Sequence, residues 1–198
     1  MKKIIALLLV FTSLFCFAGC GEKEETSDVS YPFEIIETSD RINVDIEVEN
    51  KGVIELELYP DIAPVTVSNF VYLAKKGFYD GLIFHRVIEG FMIQGGCPEG
   101  TGMGGPDHRI KGEFASNGFE NNLKHERGVI SMARTQAPNS AGSQFFIMHQ
   151  TSPHLDGEYA AFGRVINGIE IVDSIAASKT DANDKPVENV VIKKVTIK

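Results

Sequence analysis

The chain has 198 residues, 43% hydrophobic, 23% charged and 9% aromatic, with no tryptophan. That length and balance fit one packed domain and exclude a multidomain machine, a fibrous repeat and a disordered chain. Net charge is −8; removing Lys2 and Lys3 from the 19 basic residues leaves 17 against 27 acidic ones, a balance of −10. Such a chain repels phosphate backbones, so nucleic acid is not expected as a partner.

Residues 1–19 read as an address. A positive start, Met1-Lys2-Lys3, precedes an apolar run from Ile4 to Phe17 and the small pair Ala18-Gly19 before Cys20. These are the proportions of a secretory leader, and the run is shorter than the about 20 apolar residues a membrane span requires. The ending Phe17-Ala18-Gly19-Cys20 resembles a bacterial lipobox, with Phe17 where Leu is more usual. Cys20 is therefore expected as the lipidated first residue of the mature protein, held outside the cytoplasm on the bacterial cell membrane by more than one acyl chain. Cys16 would leave with the leader, so Cys97 alone remains and no internal disulfide can form. Cys97 reads as a small residue in a turn after Gly95-Gly96. Residues 20–40, polar and acidic at their start, are expected to be a flexible tether, with the folded domain over 41–198.

Within the domain, Val44, Ile46 and Val48 alternate with acidic residues, and the alternation resumes at Ile54, Leu56 and Leu58 after Asn50-Lys51-Gly52. Period two on both sides of a glycine turn predicts a hairpin with one wet face. From Pro64 the spacing changes, and Val67, Phe70, Val71 and Ala74 fall on one helical face that ends near Lys75-Lys76-Gly77. Short apolar runs follow at Leu82–Ile88, Phe91–Gln94, Gly128–Ala133, Gln144–Met148, Ala160–Ile166 and Val190–Ile197, with a second helix predicted from about Ile169 to Ala176. Many short strands between turn signals predict a mainly β fold, and periodicity leaves barrel and sandwich both open.

Several chemistries lack their signatures. Gly100–Gly105 resembles a phosphate cradle, yet no Lys-Ser/Thr follows it, so it reads as a surface loop. The five histidines are scattered without a zinc spacing, and Gly142-Ser143-Gln144 lacks the second glycine of a nucleophile elbow. No metal and no cofactor are expected.

One segment carries an unusual combination. In Phe84-His85-Arg86-Val87-Ile88-Glu89-Gly90-Phe91-Met92-Ile93-Gln94, alternation puts Phe84, Arg86 and Ile88 on one face, with Met92 and Gln94 sharing a face on the next strand. A cation among large apolar side chains is either satisfied by a nearby carboxylate or faces a ligand.

This segment resembles the cyclophilin family of peptidyl-prolyl isomerases, and two further stretches in the same order support the likeness: Gly128–Arg134 with Pro138–Ile147, and Leu155–Val165. The resemblance, from about Arg41 to the C-terminus, implies a closed eight-stranded antiparallel β-barrel capped by two α-helices. It implies that Arg86 is the catalytic arginine, with Phe91 and Gln94 beside it. Met92, Phe146 and Leu155 would complete the wall around the proline ring, and Ala133 and Arg134 would pair with the peptide backbone. Arg134, His154 and Tyr159 stand where better-known eukaryotic members carry Asn, Trp and His. The Trp-to-His difference implies weak cyclosporin binding. The implied partners are proline-containing polypeptides, with the protein a monomer; the alternative is a proline-recognising chaperone or binding module with little turnover.

Overall fold

The computed structural model describes residues 30–198, so the leader and Cys20 lie outside the described residues. The compact unit spans Tyr31–Lys198. It thus begins ten residues before the expected start at 41, because the segment after Ser30 carries apolar groups that have somewhere to go. Tyr31 stacks on Phe33 at 5.1 Å, and Phe33 lies against Tyr72 and His108. The Ile36 N–H donates to Ser68 Oγ at 2.7 Å, which anchors this strap on the first helix.

Eight strands and two α-helices follow: β1 Ile42–Val48, β2 Gly52–Leu58, α1 Pro64–Lys75, β3 Arg86–Ile88, β4 Met92–Gly95, β5 Val129–Met132, β6 Phe145–Met148, β7 Ala161–Asn167, α2 Ile169–Ala176 and β8 Ile192–Ile197. All strand pairs are antiparallel in one sheet ordered β3-β4-β6-β5-β7-β2-β1-β8. The alternation in β1 and β2 buries Val44, Ile46, Val48, Ile54, Leu56 and Leu58 against Val67, Phe70, Val71 and Ala74 of α1. Gly52 makes the hairpin possible, at φ +124° where an L side chain is strained.

The expected closed ladder does not form. β3 and β8 are the two ends of the sheet, and the chain beside them is joined by one bridge, Ile83 to Val191, with backbone hydrogen bonds from Gly81 to Ile192, Phe84 to Val190 and Ile192 to Leu82. Residues 82–85 are therefore irregular where a strand was predicted over Leu82–Ile88. This break also corrects the face assignment: Phe84, fully buried, enters the main core, whereas Arg86 and Ile88 face the other way.

α1 has no side-chain cap of its own; Ala63 occupies the N-cap position and Pro64 the first turn. The buried carboxylate of Glu113 supplies the missing acceptor, taking the N–H of Val65 at 3.0 Å, the N–H of Thr66 at 2.8 Å and the Thr66 hydroxyl at 2.7 Å.

Candidate active site

Strand register builds the site. Arg86 stands opposite Gln94, Gln94 opposite Phe146, and Phe146 opposite Ser131, so one row crosses β3, β4, β6 and β5. The neighbouring row, Val87, Ile93, Ile147 and Ile130, points into the main core. Period two thus puts the functional row on the outer face, where Met92, Val129, Phe146, Met148, Leu155 and Ala161 form a smaller apolar cluster.

Arg86, Phe91, Met92, Gln94, Ala133, Arg134, Phe146, His154, Leu155 and Tyr159 all line one cleft of about 380 Å³. Every predicted site residue of the domain is brought to this place; Cys20 lies outside the described residues. The floor is apolar and buried, with Met92 2%, Phe146 5% and Leu155 8% exposed. The Arg86 side chain remains 43% exposed, and its Nε lies 3.6 Å from Asp184 Oδ2. That pairing leaves the terminal guanidinium nitrogens for the cleft. His154 is an exposed residue at the rim, stacked on Phe91 with ring centroids 5.8 Å apart.

Gln94 is oriented by a neighbour. Its Nε2 donates to Gln144 Oε1 at 3.0 Å, while Gln144 Nε2 donates to the carbonyls of Gly102 and Gly104, both at 2.8 Å. The carbonyl oxygen of Gln94 is thereby left as an acceptor toward the cleft. The glycine-rich loop, which carries no phosphate signature, is the far wall of a second, smaller cavity of about 140 Å³ that shares Gln94, Ala133 and Arg134 with the first.

Arg134 differs from Arg86. Its guanidinium lies between the rings of Phe114 and Tyr159, 4.8 and 4.7 Å from their centroids, and its Nε and Nη2 both donate to the Glu158 carbonyl. The side chain is committed to holding the 133–136 segment against Tyr159, leaving backbone groups as what this residue can offer a peptide.

Behind the cleft sits a polar relay. His125, 1% exposed, is stacked on Phe146 at 6.0 Å, with Nδ1 3.2 Å from Asp156 Oδ1 and Nε2 3.0 Å from Ser131 Oγ. A neutral ring donating to Asp156 and accepting from Ser131 satisfies both contacts. Burial holds the imidazoles of His85, His108 and His125 below their usual range. The sign follows: on acidification below about 6.5 the unfolded chain takes up protons that the folded one refuses, so these groups remove stability as pH falls. Glu113 works in the opposite sense, because burial raises its carboxyl. Urea unfolding of wild type and His125→Asn at pH 7.5 and 5.5 isolates the effect. The variant should lose less stability than wild type on acidification, and equal losses would contradict the assignment.

Sequence reading did not assign Gln144, Asp184 or the His125–Asp156 pair. Ser131 was the available signal, a lone polar residue in the buried strand Val129–Met132; Asp184 had none, since it reaches Arg86 from a loop almost a hundred positions away.

The comparisons agree with this geometry. Residues 43–197 match the family model for cyclophilin type peptidyl-prolyl cis-trans isomerases. The chain is 50% identical over 129 residues to peptidyl-prolyl cis-trans isomerase B of Bacillus subtilis, covering 65% of this chain and 87% of that protein. It is 56% identical over 128 residues to a Helicobacter pylori peptidyl-prolyl cis-trans isomerase, covering 64% and 76%. The crystal structure of a Cryptosporidium parvum cyclophilin superposes with a TM-score of 0.75 at 36% identity, covering 80% of this chain and 98% of that one. The same parasite protein, crystallised in the presence of the dipeptide Ala-Pro, gives a TM-score of 0.73 at 37% identity, covering 79% and 98%. With the cleft, the sheet and these relatives in agreement, the chain belongs to the cyclophilin-type peptidyl-prolyl cis-trans isomerases.

Proposed function

We propose that this isomerase works outside the cytoplasm, tethered by a lipid on Cys20, and that Arg86 supplies the electrostatic step in rotating X-Pro bonds of polypeptides that fold there. The observation that carries the catalytic part is a half-exposed guanidinium at the mouth of a cleft with a buried apolar floor, with its Nε beside Asp184.

Amide resonance sets a barrier of about 18–20 kcal/mol, and no bond is made or broken. In the twisted transition state the prolyl nitrogen recovers a lone pair. A guanidinium donor aimed there gains a hydrogen bond that the planar ground state cannot accept, which is stabilisation confined to the transition state. Arginine suits the task because it stays charged at every working pH. Phe91, Met92, Phe146 and Leu155 grip the pyrrolidine ring, Gln94 accepts from the peptide backbone, and the acyl side turns. A water-poor cleft favours the less polar twisted amide. The test of the folding role is the slow, proline-limited refolding phase of a model protein: catalytic amounts of the enzyme should accelerate it, and an unchanged phase would contradict the reading.

The address is tested separately. Cys20→Ala should leave the chain unprocessed or release it to the soluble fraction, whereas an unmodified mature N-terminus in wild-type membranes would refute lipidation.

Weak cyclosporin binding rests on His154. A Trp buries about 150–250 Å² and offers an indole N–H, whereas the imidazole at this exposed rim is smaller and better hydrated. His154→Trp should therefore tighten inhibition by about tenfold, or about 1.4 kcal/mol, with little change in turnover. Equal inhibition of both proteins would remove position 154 from the determinants of drug affinity. Nothing in the reading requires a second copy of the chain, and the protein is proposed to act as a monomer.

A further inference from the structure

The turn between β3 and β4 carries the cleft on both sides, with Arg86 entering it and Phe91, Met92 and Gln94 leaving it. Its tip, Glu89-Gly90, is exposed, and Gly90 adopts φ +78°. A short exposed turn of this kind is free to shift unless something holds it. Its base is closed by the Phe91 N–H to the Ile88 carbonyl at 3.0 Å and by the Gln150 N–H to the Phe91 carbonyl at 3.2 Å, and His149, the residue that follows β6, holds both base and tip. The His149 N–H donates to the Phe91 carbonyl at 2.9 Å, and the Gly90 N–H donates to His149 Nδ1 at 2.9 Å.

The ring is itself held from two further elements. Because Nδ1 accepts from an amide, the proton of the neutral ring resides on Nε2, which lies 3.3 Å from Asp173 Oδ1 on α2. Arg127 clasps that carboxylate with both terminal nitrogens, at 2.7 and 2.8 Å, and also donates to the His149 carbonyl at 2.9 Å. Arg127, Asp173, His149 and Gly90 thus form one chain of contacts that ends beside Phe91, and the His149 side chain is only 13% exposed.

We infer that His149 is a positioning residue for isomerisation. Oriented by Asp173 and Arg127, it fixes the Gly90 amide and so sets where Phe91 stands in the proline cleft. The inference rests on the reading of that cleft as the proline site. Its effect falls on substrate binding: the backbone bonds of Phe91 to Ile88, His149 and Gln150 remain, but loss of the Gly90 contact frees the tip of the turn next to Phe91, and the peptide must reorder it on arrival. The reacting guanidinium of Arg86 is untouched by this contact, so the rate from the bound state is little affected.

The isosteres of the two ring nitrogens separate this role from a merely structural one. In His149→Asn the amide oxygen stands near the Nδ1 position and keeps an acceptor for Gly90. In His149→Gln the longer amide reaches toward Asp173 and gives up the Gly90 acceptor. His149→Phe keeps the ring and loses both contacts. In the full-length chain, with an Ala-Pro-containing peptide, Phe and Gln should raise KM about fivefold with kcat within about twofold, while Asn stays within about twofold of wild type in both. If the Phe variant fails to fold, the contrast of Asn with Gln decides. Equal KM values in folded Asn and Gln variants would overturn the positioning role, as would a fall in kcat alone. Peptide affinity measured by NMR titration keeps the two readings apart. Wild type that binds the peptide without turnover would refute isomerisation yet leave the Asn-against-Gln contrast in affinity as the test of His149; wild type that does not bind the peptide would refute both.

Discussion

Arg86→Ala is expected to lower kcat/KM for proline isomerisation by at least about tenfold, equivalent to about 1.4 kcal/mol of transition-state stabilisation, with the fold intact. The fold should survive because Arg86 is not a core residue: its side chain is 43% exposed, and its ion pair is with the half-exposed Asp184. Exposed pairs of this kind contribute about 0–1 kcal/mol to stability. Peptide affinity should change less than turnover, since the ring is held by Phe91, Met92, Phe146 and Leu155. A folded variant with an unchanged rate would dismiss the electrostatic role, and an unfolded one would return Arg86 to a structural part. Circular dichroism beside the kinetic assay separates these outcomes.

The largest stability effect is expected at Glu113, which does not line the cleft. Glu113→Ala leaves the amides of Val65 and Thr66 and the Thr66 hydroxyl without their acceptor at a helix start that has no local cap. Each buried group left unpaired costs about 1–3 kcal/mol, so a loss of about 3 kcal/mol and a fall in Tm of about 10 °C are expected. A thermal melt decides it: a shift of under about 2 °C would mean that water or a rearranged side chain replaces the carboxylate.

These two residues show where the sequence was legible. Arg86 announced itself because a cation read by period two onto one face with Phe84 and Ile88 conflicts with a core face, and the conflict marks the site even though Phe84 itself turns into the main core. The β1–β2 hairpin and α1 were equally plain, since their apolar spacing alone dictates which face is buried. Glu113 was silent, because its partners lie 47 and 48 positions away and nothing local distinguishes it from a solvated acid. The strap at Tyr31–Ile36 was silent for a related reason: its aromatic pair has meaning only against Tyr72 and His108. Residues 82–85 misled, since an apolar run with strand-like composition is diverted to join the chain before β8. Both readings of Arg86 left open by the sequence are met at once, with a carboxylate at its Nε and a cleft beside it. Local pattern therefore specifies the elements and the functional row, whereas caps, joins and counterions depend on distant segments meeting.

The central claim is that the cleft is a catalyst of rotation and more than a receptor for proline. Exchange NMR on an Ala-Pro-containing peptide at equilibrium tests it most directly, because it reads cis-trans interconversion and binding in the same sample. Substoichiometric wild-type protein should bring the interconversion from the uncatalysed scale of tens to hundreds of seconds into the subsecond range without altering the cis-to-trans ratio, and Arg86→Ala should bind the peptide with most of that acceleration lost. Peptide shifts that demonstrate binding by wild type, with interconversion still at its uncatalysed rate, would contradict the account.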